Sequence, residues 1–61
     1  MKIVILGAGE SGVGAAILAQ QKGYEVFVSD MGHIQDKYKA QLSVHNLRWE
    51  EGKHTPEAIL D

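Results

Sequence analysis

No cysteine occurs among these 61 residues, so neither a disulfide framework nor a thiolate metal site can supplement the core. The core must hold by packing alone, and at this length a chain forms at most one small domain near the margin of independent stability. Long apolar runs are missing as well. The N-terminal run, residues 3–6 (IVIL), is far shorter than the ~20 residues that cross a bilayer and lacks the long apolar region of a signal peptide, so a cytoplasmic chain with no membrane partner is expected. Charge of one sign never accumulates. Six Lys and Arg against eight Asp and Glu give a net charge of −2, scattered along the chain, which provides no long-range attraction for nucleic acid or an anionic surface. His33, His45 and His54 stand 12 and 9 residues apart, so no two lie one helical turn from each other; they read as surface or capping residues, and no metal site is expected. Repeats, low-complexity tracts and linkers are absent.

What is present is an alternation of short apolar runs and helical patterns. Residues 3–6 are branched and continuous and end at Gly7, which predicts a strand buried on both faces, as in a parallel sheet. Residues 11–22 (SGVGAAILAQQK) place Val13, Ala16, Ile17 and Ala19 or Gln20 at helical spacing, and Gly23 follows as a stop. Residues 25–29 (EVFVS) predict a second strand with Asp30 at its carboxyl end. A second helix is predicted over 34–45, with Ile34, Tyr38 and Leu42 on one face and Asn46 as its stop; a short third strand follows over 47–50. Trp49 and Tyr38 read as core or interface aromatics, and the charges of residues 35–39 as a solvated helix face. Thr55, Pro56 and Glu57 have the order of an N-cap, a first-turn proline and a dipole-favoured acid. A helix begun there and not finished by Asp61 leads us to expect a fragment of a longer protein. The class is α/β: a Rossmann-like parallel sheet, the truncated N-terminal βαβ(αβ) portion of a mononucleotide-binding domain.

Gly7, Gly9 and Gly12 satisfy G-x-G-x-x-G in the strand-to-helix context that gives the pattern meaning. Gly7 allows the tight turn, Gly9 leaves room for a phosphate against bare backbone, and Gly12 lets helix and strand pack closely. Amides at the helix N-terminus then face the anion, with Ser11 adding a hydroxyl. Asp30 lies 18 residues after Gly12, where an acid meets a ribose hydroxyl or a base edge. Glu10 conflicts with a standard dinucleotide site, because a carboxylate beside a diphosphate is repelled unless it turns to solvent or finds a donor. Glycines that serve only turn and packing are the plainer alternative. Residues 52–55 (GKHT) read as an ordinary turn plus N-cap, with Lys53 the one residue there worth testing as a contact to a ligand.

The stretches GAGESGVGAA, YEVFVSDMG and WEEGKHT together resemble the N-terminal domain of the Mur ligase family, over the whole chain and in the form found in Bacteroides-like bacteria. The resemblance implies that residues 1–61 are a UDP-binding domain fragment. It implies that the glycine turn holds the UDP moiety of a peptidoglycan precursor, UDP-N-acetylmuramoyl-L-alanine, and not a redox cofactor. Carried over by position, Gly7, Gly9, Glu10, Ser11 and Gly12 would bind the uridine diphosphate, with Asp30 and Met31 against the uracil and ribose. Some members carry an arginine two residues after the aspartate. Here that position is Gly32, which leaves open which cation faces the diphosphate.

The family's full enzymes use ATP and magnesium to activate a carboxylate as an acyl phosphate, which the amine of D-glutamate attacks in this branch to form an amide. No G-x-x-x-x-G-K-[ST] sequence occurs here, so the chain alone is expected to be inactive and to hold no cofactor of its own. Two rival readings remain: an NAD(P)- or FAD-binding segment of an oxidoreductase, with Asp30 on the adenosine ribose, and a non-catalytic nucleotide-sensing module. Three strands leave a sheet edge unpaired, through which the fragment can self-associate.

Overall fold

The computed structural model describes residues 1–57, which form β1 (Lys2–Leu6), α1 (Glu10–Gln21), β2 (Glu25–Asp30), α2 (Asp36–Val44) and β3 (Arg48–Glu51). The three strands make one sheet in the order β1-β2-β3, with both pairings parallel. Lys2 lies opposite Glu25 and Leu6 opposite Ser29 in the first pair; Ser29 lies opposite Glu50 and Asp30 opposite Glu51 in the second. The fold is therefore of the Rossmann-like α/β class expected, a parallel sheet with βαβαβ order. Among the described residues no helix is long and apolar enough to cross a membrane.

Both helices cover one face of the sheet, as two crossovers of like hand running in one direction require. Side-chain alternation divides β2 accordingly. Val26 and Val28 join Val13, Ala16 and Ala19 of α1, Leu42 of α2, and Ile34 and Leu47 in the core, with Ile3, Ile5, Ile17, Tyr38 and Trp49 packed around them. Phe27 and Ser29 point to the other face. Small residues on α1 bring its axis close to the strands, and Ala16 is fully buried. The Gln20 amide, on α1, donates to the His45 carbonyl at 2.7 Å and ties the two helix ends together.

The helix ends follow the sequence closely. Beyond α1, Gly23 has φ +90°, its N–H donates to the Gln20 carbonyl, and the Tyr24 N–H donates to the Ala19 carbonyl. This double closure is a Schellman motif, and it repeats beyond α2, where Asn46 has φ +57°, its N–H reaches the Ser43 carbonyl, and the Leu47 N–H reaches the Leu42 carbonyl. The buried Leu42 and Leu47 supply the apolar contact that accompanies the motif.

The starts differ by a residue or two. α1 opens at Glu10, one residue before the prediction, with Gly9 as its N-cap. α2 opens at Asp36 and not at residue 34, because Gln35 is extended (φ −63°, ψ 147°) and the Ile34 N–H is taken by the Glu51 carboxylate. Ile34 is nevertheless 1% exposed, so the predicted apolar face survives with its first member in the loop. The predicted solvated face of residues 35–39 also needs correction. Lys39 is drawn inward by Glu51 at 2.8 Å and lies over the Trp49 ring, 5.5 Å from its centroid. Pro56 and Glu57 begin a helical turn, and the rest of the helix expected after Thr55 lies outside the described residues.

Candidate functional site

The glycine turn joins β1 to α1 at the carboxyl edge of the sheet, where open α/β folds bind their ligands. The Gly7 N–H donates to the Ser29 carbonyl at 2.7 Å, which extends the β1–β2 ladder by one bond before the chain turns. Gly7 then takes φ +106°, a conformation L side chains rarely adopt. Ala8 is buried, and Gly9, Glu10 and Ser11 are exposed. The first intrahelical bond runs from the Val13 N–H to the Gly9 carbonyl at 2.9 Å, and no side chain caps the helix. The leading amides of α1 therefore face outward with the positive end of the macrodipole behind them.

Gly9 and Gly12 have different reasons to be glycine. A Cβ at Gly9 would meet nothing within 4 Å, so the space over it is open to a ligand. A Cβ at Gly12 would stand 1.9 Å from the Gly7 carbonyl oxygen, so that position is closed by the protein's own backbone. Glu10 is exposed in the first turn, where its carboxylate stays hydrated and interacts favourably with the dipole. Its side chain thus turns to solvent, one of the two arrangements its charge allows.

Asp30, at the end of β2, reaches across to the turn. Its Oδ2 accepts the Ala8 N–H at 2.8 Å, and its Oδ1 accepts the Gly32 N–H at 2.8 Å. The Ala8 bond, then the Gly32 bond, hold the carboxyl below the usual carboxylate range, with His54 adding a smaller electrostatic contribution. Each oxygen keeps a further lone-pair direction, so an ionised Asp30 can brace the turn and still accept a hydroxyl or base-edge donor. Met31 is 62% exposed beside it. The structure thus gathers the glycine turn, Ser11, Asp30 and Met31 at one edge of the sheet.

A second group of polar residues escaped the sequence reading. Ser29, the fully buried polar residue of the described chain, has its Oγ 2.7 Å from Glu50 Oε2, 3.1 Å from the Lys53 carbonyl and 2.5 Å from His54 Nδ1. A hydroxyl has one proton, and Glu50 is the charged acceptor for it, so the His54 tautomer that carries hydrogen on Nδ1 donates back to Oγ. Glu50 also accepts the Thr55 hydroxyl at 2.5 Å through Oε1 and the Thr55 N–H at 2.7 Å through Oε2. These two Thr55 bonds, with Ser29 and the nearby Lys53 charge, bring the Glu50 carboxyl down to about 2.

His54 is accordingly a half-buried structural partner and not a surface residue. The turn at 52–55 is fastened by side chains, with the Thr55 hydroxyl proton given to Glu50. Lys53 contributes its carbonyl and leaves its side chain exposed. The available signal was the alternation of β2: Ser29 falls on the face opposite Val28, two residues on from Phe27, where the return of the chain after β3 buries it.

Among the described residues no three His, Asp or Glu side chains are grouped to hold a metal ion. No solved structure matches the chain. Curated relatives do. The chain is 65% identical over 60 residues to the UDP-N-acetylmuramoylalanine–D-glutamate ligase of Bacteroides thetaiotaomicron, covering 98% of this chain and 14% of that protein. It is 63% identical over 59 residues to the ligase of the same name from Bacteroides fragilis, and 61% identical over 59 residues to that of Porphyromonas gingivalis, covering 97% of this chain and 13% of each relative. The chain thus spans about one seventh of the length of these relatives. The family described as MurD N-terminal domain matches residues 2–61, and the chain belongs to that family.

Proposed function

We propose that the chain is the UDP-binding N-terminal part of a UDP-N-acetylmuramoyl-L-alanine:D-glutamate ligase, a cytoplasmic enzyme of peptidoglycan synthesis. The observation that carries the reading is the open space over Gly9 at the head of α1, beside an Asp30 carboxylate with acceptor capacity left. A diphosphate laid against Gly7, Gly9, Ser11 and Gly12 would receive the leading amides of α1. The uracil and ribose would then lie toward Asp30 and Met31, and Glu10 would stand at the rim. Among the described residues no group fits the ATP and magnesium of the amide-forming step, which this reading assigns to other parts of the parent enzyme. The fragment is a substrate-holding module with no activity of its own.

Amide spectra of the labelled chain titrated with UDP, and separately with NADH, test this. UDP should shift the resonances of Gly9, Ser11, Gly12 and Asp30 at millimolar concentration. Gly9→Ala should abolish those shifts and leave the spectrum folded, since its Cβ meets only open space and the loss of a glycine N-cap costs less than about 1 kcal/mol. Shifts with NADH and none with UDP would overturn the reading in favour of an oxidoreductase segment.

A further inference from the structure

The loop of residues 31–35 between β2 and α2 carries Met31 and Gly32, the neighbours of Asp30. It has no regular structure of its own, and its shape is imposed from the end of β3. Glu51 Oε1 accepts the Ile34 N–H at 2.9 Å and pairs with His33 Nδ1 at 3.2 Å. The Gly52 N–H donates to the Gly32 carbonyl at 3.0 Å, and Asp30 Oδ1 holds the Gly32 N–H from the other side. Glu51 is itself fixed by Lys39 at Oε2, 2.8 Å away, and Lys39 is braced over Trp49. Continuous contacts thus run from α2 through Lys39, Glu51 and Ile34 to Gly32, and through Asp30 to Ala8 in the glycine turn.

We infer that Glu51 is a positioning residue for the nucleotide site: by fixing His33 and Ile34 it holds Met31 and Gly32 beside Asp30 and so sets affinity for the nucleoside end of the ligand. The inference rests on the UDP reading above. Three features carry it. Glu51 makes no direct contact with the glycine turn and reaches it only through Gly32 and Asp30, so its effect falls mainly on the nucleoside end. Its partners are one backbone amide, the Lys39 ammonium and the His33 ring, so a carboxylate accepts from all three at once and a neutral amide side chain does not. Gly32, without a side chain, contributes no packing that would hold the loop in its place.

The test compares two ligands on the full chain. UDP engages both ends of the site, and inorganic pyrophosphate engages only the glycine turn. Glu51→Ala is expected to weaken UDP about tenfold, the equivalent of one hydrogen bond to a charged group, with pyrophosphate affinity and the Gly9 to Val13 resonances unchanged. Glu51→Gln keeps an acceptor for the Ile34 N–H but turns an amide toward Lys39. It should recover part of the loss, to about threefold, and it decides the matter alone if the alanine variant does not fold. Equal weakening of both ligands, or of neither, overturns the inference. A wild-type chain that binds UDP no more tightly than pyrophosphate overturns the uridine reading itself, and the inference with it.

Discussion

At the carboxyl end of β1 the chain presents bare backbone: Gly7 turns, Gly9 leaves open space, and Gly12 admits the Gly7 carbonyl where any side chain would stand. At the carboxyl end of β3 the chain is fastened by side chains, with Glu50 and Glu51 gathering Ser29, Thr55, His33, Ile34 and Lys39. The first region can receive a ligand because its donors have no partner within the helix. The carboxylates of the second are turned to the protein's own donors, and each of their oxygens already accepts from it. Yet the second region sets the loop next to Asp30, and Asp30 in turn braces the first. A receptive surface made of backbone thus depends on a rigid one made of side chains, which is how sites gain the precision that a glycine turn alone does not have.

The sharpest way to break this comparison is at Gly12. An alanine there would need the Gly7 carbonyl to move from 1.9 Å, and Gly7 is held by φ +106° and by its N–H bond to Ser29. Overpacking against backbone should cost about 3 kcal/mol or more. A core of this size supplies roughly 3–5 kcal/mol in all. Gly12→Ala should therefore leave the chain largely unfolded by circular dichroism and amide dispersion, whereas Gly9→Ala, three residues away, stays folded. A folded Gly12→Ala chain would mean that α1 sits farther from β1 than the structure has it.

These two regions were unequally legible in the sequence for a physical reason. The glycines answer local demands at fixed spacing, so Gly7, Gly9 and Gly12 could be assigned their parts before any fold was known. The stops at Gly23 and Asn46 were legible on the same ground, since a left-handed residue beyond a helix is a local requirement. The Ser29 cluster depends instead on register, with Ser29 opposite Glu50 across two parallel strands and His54 brought back over that face. No spacing in the chain encodes this. The start of α2 was misplaced for the same cause: the apolar pattern through Ile34 was real, but a carboxylate 17 residues away holds the Ile34 amide in the loop ahead of an extended Gln35. Lys39 looked solvated because its partner, Glu51, lies on a different element, β3.

Ser29→Ala probes the fastened region with a smaller effect. The change removes the donor to Glu50 and the acceptor of the His54 Nδ1 proton, at a cost of about 1–3 kcal/mol. The backbone bond from Gly7 to the Ser29 carbonyl is untouched. A lower urea midpoint is expected, together with faster hydrogen exchange at Thr55 and unchanged resonances from Gly9 to Val13. Exchange that quickens equally in the glycine turn would show the two regions to be one cooperative unit, and the comparison would then collapse.

The mildest test alters only protons. Asp30, Glu50 and Glu51 are each held below their ordinary range: Asp30 by the Ala8 and Gly32 amides, Glu50 chiefly by the Thr55 hydroxyl, and Glu51 chiefly by Lys39 with the Ile34 amide. A carboxyl whose folded value is depressed stabilises the fold at pH above its unfolded value, and that contribution is lost as pH falls through the folded value. For Glu50 the window runs from 4.5 down to about 2. Stability should therefore be level above pH ~5 and decline below it, where carboxylates bonded in the native state must take up protons. Three amides report the steps separately: Thr55 for Glu50, Ile34 for Glu51 and Ala8 for Asp30. Glu50→Gln should flatten part of the decline. A urea midpoint that stays level down to pH ~2.5 would mean these carboxylates do not accept their bonds in solution, since depressed values and acid sensitivity are one linkage. The leading amides of α1, apart from Ala8 before them, carry no such linkage. Acid should therefore loosen the fastened region first and reach the glycine turn only through Asp30.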